Sequence, residues 1–156
     1  MQKRLQQKTQ GFTIIEVMIV LVIAAVILLI VFLAIPALQR NSRNTQRKDD
    51  AARVVTLYRE YLGNNPTTPP TNTSTFVSNV IGGENLAIYE KNSEVTFSPS
   101  SPNTSSQTAL HVRSGFKCAE DDSTSATDWQ PGSGKQFIVV VWLETATGRT
   151  PFCVEG

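Results

Sequence analysis

Gly11-Phe12-Thr13-Ile14-Ile15-Glu16 runs directly into Val17–Ile35, 19 residues without one polar side chain. At a rise of ~1.5 Å per residue, such a run is about long enough for an α-helix to cross the hydrocarbon core of a bilayer. A carboxylate just inside the amino end of a membrane helix is costly, so Glu16 needs either the interface or a partner. Upstream, Met1–Gly11 carries Lys3, Arg4 and Lys8 and no acid. A cleaved secretory signal explains this junction poorly. The apolar run exceeds the roughly 7–15 residues of an h-region, and no A-x-A site follows it.

The stretch Gly11-Phe12-Thr13-Ile14-Ile15-Glu16-Val17-Met18-Ile19-Val20 resembles the class III signal of type IV pilins and pseudopilins. Ala34-Ile35-Pro36-Ala37-Leu38-Gln39 resembles the I-P-A-Y-Q that follows in many pilins, with the proline a few residues later than usual. The resemblance implies that a prepilin peptidase cuts between Gly11 and Phe12, that the new amino terminus at Phe12 is N-methylated, and that Glu16 assists subunit docking. It also implies a pilin-like α+β fold, with a long amino-terminal helix packed on a small antiparallel sheet.

The implied divisions are a cleaved leader 1–11, a membrane or filament-core helix 12–38, and a soluble domain 39–156 that includes the amphipathic part of the helix, 39–62. Orientation does not follow from charge alone. Arg40, Arg43, Arg47 and Lys48 after the run outnumber the three leader cations, so the positive-inside rule does not place the amino terminus. The resemblance puts the leader in the cytoplasm, where the peptidase acts. The precursor then sits in the cytoplasmic membrane and the assembled filament outside the cell.

Composition leaves room for one membrane helix and one modest soluble domain in 156 residues. From Pro66 onward five basic residues face nine acidic ones, a surplus of negative charge that argues against direct binding to nucleic acid. Past Pro36, Gln39–Asp50 is polar but contains no Gly or Pro. Ala51, Val54, Leu57, Tyr58, Tyr61 and Leu62 then recur at helical spacing, before Gly63-Asn64-Asn65-Pro66 supplies a stop. The pattern predicts a single helix from Phe12 to Leu62, bent at Pro36, whose second half offers an apolar face to the rest of the chain.

Thr67–Ser74 reads as a linker, and Phe76–Ile81, ending at Gly82-Gly83, as a short helix over that face. Strands are predicted at 86–89, 95–98, 109–113 and 136–143, and a turn at Thr145–Gly148 returns the chain as a last strand, 150–154.

Cys118 and Cys153 are the two cysteines of the chain. In an exported, loop-rich domain such a pair reads as a disulfide, which would contribute roughly 3–4 kcal/mol by closing the intervening loop. The resemblance points the same way, since many pilins staple a carboxy-terminal loop to the last strand.

Asp121, Asp122 and Asp128 supply oxygen donors suited to calcium, but their spacing matches no EF-hand and a solvated acidic loop is the favoured reading, so no cofactor is expected. The sequons at Asn72 and Asn103 carry little weight in a chain so rich in Ser, Thr and Asn. The single histidine, His111, falls in a strand pattern with no hydrolase, zincin or P-loop motif beside it, so no enzyme is expected.

Arg40, Arg43, Arg47 and Lys48 read as membrane-flanking or helix-surface charges, Asp49 and Asp50 as partners for Arg53 or a neighbouring subunit, and Tyr58 and Tyr61 as core contacts. The leading expectation is a structural subunit of a type IV pilus-like filament. It would be a self-assembling homopolymer that meets the prepilin peptidase, the pilus assembly platform and, before assembly, the membrane. A pseudopilin of a type II secretion or DNA-uptake apparatus is the closest rival, and a non-polymerising single-pass surface binding protein the second.

Overall fold

The computed structural model describes residues 11–84, 86–89, 94–98, 107–119 and 129–156. The chain divides into two compact units, Met1–Gln39 and Arg40–Gly156. One helix, α1 (Ile14–Asn64, 51 residues), contributes to both. Pro36 lies inside it. The ring removes one backbone hydrogen bond, yet the helix continues through that point.

In the first unit α1 stands alone. Every large apolar side chain from Ile14 to Leu38 is exposed, and none of the most apolar window of the helix is buried.

In the second unit α1 is covered. Ala51, Val54 and Tyr58 are fully buried, Val55 nearly so, and Leu57, Tyr61 and Leu62 pack around them. Beyond α1, Asn72 caps a short helix, α2 (Thr73–Phe76). Its side chain accepts from Thr75 N–H at 2.9 Å, while Thr75 Oγ1 accepts from Asn72 N–H at 3.3 Å. A π-helical turn, Val77–Ile81, follows and ends at Gly82, whose φ of +55° is a left-handed cap that favours glycine. This helix therefore begins earlier than the composition of Thr67–Ser74 predicts, because Asn72 is a helix cap that the linker reading absorbed.

The main sheet has four strands in the order β1 (Val95–Ser98), β2 (Leu110–Ser114), β5 (Phe137–Glu144), β6 (Arg149–Glu155). A separate pair joins β3 (Phe116–Lys117) to β4 (Gln130–Pro131), two strands that the sequence pattern did not reveal. Gly115, at φ +80°, turns the chain from one sheet into the other.

The expected antiparallel pairing holds for β2–β5 and β5–β6, but β1 runs parallel to β2, so the sheet is mixed. Residues 99–109 form too long a connection to impose the reversal that a hairpin turn would. The strand predicted at 86–89 is not formed either. Asp50 Oδ1 and Oδ2 accept from Ala87 N–H and Ile88 N–H at 2.7 and 2.8 Å, so a helix carboxylate takes the donors that a neighbouring strand would need.

Both faces of the sheet are buried at its centre. Toward α1, Tyr58 is ringed by Phe76, Phe97 and Phe137, with ring centroids 5.1, 5.9 and 4.5 Å away. Phe76 stacks on Phe97 at 4.9 Å. On the other face His111, Arg113, Ile138, Val140 and Trp142 are buried. His111 Nδ1 lies 2.6 Å from Thr96 Oγ1. Cys153 sits across Val140 from His111 on this same face and is bonded to Cys118, with a Cα–Cα separation of 6.0 Å. The acidic candidates Asp121, Asp122 and Asp128 lie outside the described residues, as does Asn103.

The helix meets the β5–β6 hairpin through a polar clamp, so Arg43 and Arg47, expected as membrane-flanking or helix-surface charges, are partnered within the fold. Glu144 Oε2 accepts from Arg43 Nη2 at 2.6 Å and Nε at 3.1 Å, and Oε1 accepts from Arg47 Nη2 at 2.8 Å. Asn44 closes the arrangement on the Glu144 backbone, donating to its carbonyl at 2.8 Å and accepting from its N–H at 2.7 Å. The two arms differ in worth. Arg43 is 44% exposed, and an exposed pair contributes about 0–1 kcal/mol. Arg47 is 9% exposed and also donates to Trp142 O, so loss of its carboxylate strands a buried cation. Asp50 likewise serves the backbone of 87–88, not Arg53, which pairs with Glu84.

Hydrogen bonds from Arg43, and then Arg47, hold the Glu144 carboxyl at about 2, against the desolvation that would raise it. A depressed carboxyl stabilises the fold fully above its unfolded value and loses that contribution as pH falls through the folded one. Glu144→Gln should therefore lower the thermal midpoint of the Arg40–Gly156 unit at neutral pH. The gap from wild type should stay constant above about pH 5 and close between about pH 4.5 and 2, as followed by circular dichroism melts. A gap unchanged at pH 2.5 would show that the clamp's charge contributes nothing.

Candidate functional site

The first turn of α1 is where the sequence concentrates its unusual chemistry. Thr13 immediately precedes the helix and Glu16 occupies its third position. Thr13 N–H and Thr13 Oγ1 donate to Glu16 Oε2 at 2.9 and 2.7 Å, while Glu16 N–H reaches back to Thr13 Oγ1 at 3.4 Å. This reciprocal pattern is a capping box. It satisfies backbone donors that have no partner within the helix, and in lipid those donors would have no water either.

The resemblance assigns Glu16 to docking, and the structure adds this capping role. The signal was present as Thr-x-x-Glu ahead of an apolar run. Glu16 is thus engaged within its own chain, with its carboxylate at the surface of the helix and no covering segment among the described residues. Phe12 is 88% exposed, and a Cβ on Gly11 would meet nothing within 4 Å, so the Gly11–Phe12 bond stands clear of the described fold.

The remaining candidates are dispersed. Cys118 and Cys153 meet on the sheet face turned away from α1. His111 is buried beside Thr96, and burial pushes the Tyr89 hydroxyl up to about 12. Among the described residues no three His, Cys, Asp or Glu side chains gather as a metal site.

A family signature, the prokaryotic N-terminal methylation motif, matches residues 6–32. No curated protein matches the chain significantly, and no solved structure does. The chain carries a type IV pilin-like class III signal peptide, joined to an apolar helix that anchors the precursor in the membrane. With its α+β pilin-like fold, it is a type IV pilin- or pseudopilin-like protein, and its motif marks it for a prepilin peptidase.

Thr13→Val removes the capping hydroxyl while keeping the shape of the side chain. Loss of such a cap costs about 1 kcal/mol locally. In detergent micelles the amides of residues 14–16 should exchange faster in the variant, while those of 50–58 stay unchanged. Equal exchange at 14–16 would show that Thr13 does not hold the helix start.

Proposed function

We propose that this chain is the structural subunit of a type IV pilus-like surface filament. In this reading the leader 1–11 is removed after Gly11, Phe12 is N-methylated, and the 12–38 helix leaves the membrane for a helical homopolymer. The domain 39–156 then faces outward, and the Cys118–Cys153 bond serves an oxidising exterior.

The observation that carries this reading is the uncovered first half of α1, most of which lies within the methylation motif. A helix that is apolar all round exchanges lipid contacts for contacts with identical helices without exposing apolar surface to water. Within that bundle Glu16 loses its access to headgroups, and the positive Phe12 amine of an adjacent subunit becomes its natural partner. The same carboxylate that caps its own helix in the single chain would then report axial register between chains.

Intact mass of sheared surface material tests the processing. The chain should begin at Phe12 with a methylated amine, and filaments that retain Met1–Gly11 would overturn the proposal. Electron microscopy of that material separates long external fibres from the short periplasmic assembly of a pseudopilin. Glu16→Ala should be inserted and cleaved normally, yet yield far fewer filaments. Normal piliation by a processed Glu16→Ala chain would reduce Glu16 to its capping role.

A further inference from the structure

The two outer strands of the main sheet present backbone groups with no neighbouring strand among the described residues, and each outer edge carries a specific obstruction. Phe137 and Gly156 exchange both backbone hydrogen bonds, N–H to O at 2.8 Å in one direction and 3.4 Å in the other, and Thr145 N–H reaches Gly148 O at 2.8 Å. These contacts fix the phase of the antiparallel ladder. Val154, Phe152 and Thr150 turn their backbone groups toward β5, and Arg149, Pro151, Cys153 and Glu155 turn theirs outward.

The proline therefore occupies the middle of the outward-facing set, where another strand would require an N–H. In addition, Arg59 Nη2 donates to the outward carbonyl of Glu155 at 3.4 Å. Charge alone would not keep a second copy away. Two β6 strands paired antiparallel about Phe152 would set Arg149 opposite Glu155, an attractive arrangement.

At the other edge Phe97 of β1 turns both backbone groups away from β2, and one side chain takes both. Phe97 N–H donates to Thr73 Oγ1 at 3.0 Å, and Thr73 Oγ1 donates to Phe97 O at 3.2 Å. The hydroxyl stands where the next strand's backbone would be.

We propose that Pro151 and Thr73 close the sheet to strand addition by a second copy of this chain. Unprotected edges template pairing between chains, and proline is one of the devices that blunt them. A chain confined to a membrane by its apolar helix meets other copies at high local concentration, where open edges would pair. The inference concerns the sheet alone and stands whether or not the filament reading holds.

The test uses the full chain in detergent micelles, with associated mass followed by light scattering and amide exchange read at single residues. Pro151→Thr should associate at concentrations at least about tenfold below wild type. The outward amides of Arg149, Cys153 and Glu155 should become protected as it does. Thr73→Val should do the same through the Phe97 amide, and Thr73→Ser should behave as wild type. Pro151→Ala, which restores the donor with little change in bulk, replaces Pro151→Thr if that variant misfolds. Variants that stay as dispersed as wild type would overturn the proposal, and so would association that leaves these amides unprotected.

Discussion

A backbone that enters hydrocarbon must satisfy its own hydrogen bonds, and the rest of this structure follows from that constraint. It makes Ile14–Leu38 helical whatever its side-chain propensities. Because nothing stops the helix at Pro36, the same helix runs on to Asn64 and becomes the platform on which the second unit is built. The small domain thus begins with a helix already formed, which spares it the unfavourable nucleation of a new one. The two solvents divide α1 by side chain alone: apolar on every side up to Leu38, and one apolar stripe with charged flanks after Arg40.

That stripe would bury its residues against the sheet in more than one sliding position, and apolar contacts do not choose sharply among them. Polar contacts do. Arg43, Asn44 and Arg47 fix α1 to Glu144, Asp50 fixes it to the backbone at 87–88, Arg53 to Glu84, and Arg59 to Glu155. Each anchor reaches a different part of the later chain, so a shift by one turn would break several at once. The magnitudes divide the labour. Truncating a fully buried aromatic such as Tyr58 costs about 3–5 kcal/mol, several times an exposed ion pair. The aromatic cluster holds the helix down, and the clamps set where along its axis it is held.

The fold class was legible because its signals are local and periodic: an apolar run of membrane length, a stripe at helical spacing, and β-branched segments such as Phe137–Glu144. Much of what the sequence does not reveal depends on partners far away along the chain. Asp50 and Arg47 look like any charges on a helix surface until Ala87, Ile88 and Glu144 arrive beside them. The direction of β1 is not encoded in alternation, which is the same for parallel and antiparallel neighbours. The methylation motif was readable from Gly11–Glu16. The capping box within it is equally local, carried by Thr13 and Glu16 at Thr-x-x-Glu spacing.

The capping role of Glu16 and the docking role proposed for it use the same carboxylate but not the same oxygen, and this shapes how an apolar helix keeps a charge. In the single chain Oε2 takes both Thr13 donors, and the helix start has its backbone groups satisfied. A carboxylate has lone pairs for several donors, so an amine from another chain can add to Oε1 without displacing Thr13. A carboxylate already held in one rotamer by Thr13 loses little further conformational entropy when that amine arrives, whereas a freely rotating one would have to be ordered at each step of growth. Capping and the proposed docking are therefore compatible, and the local bond would prepare the long-range one.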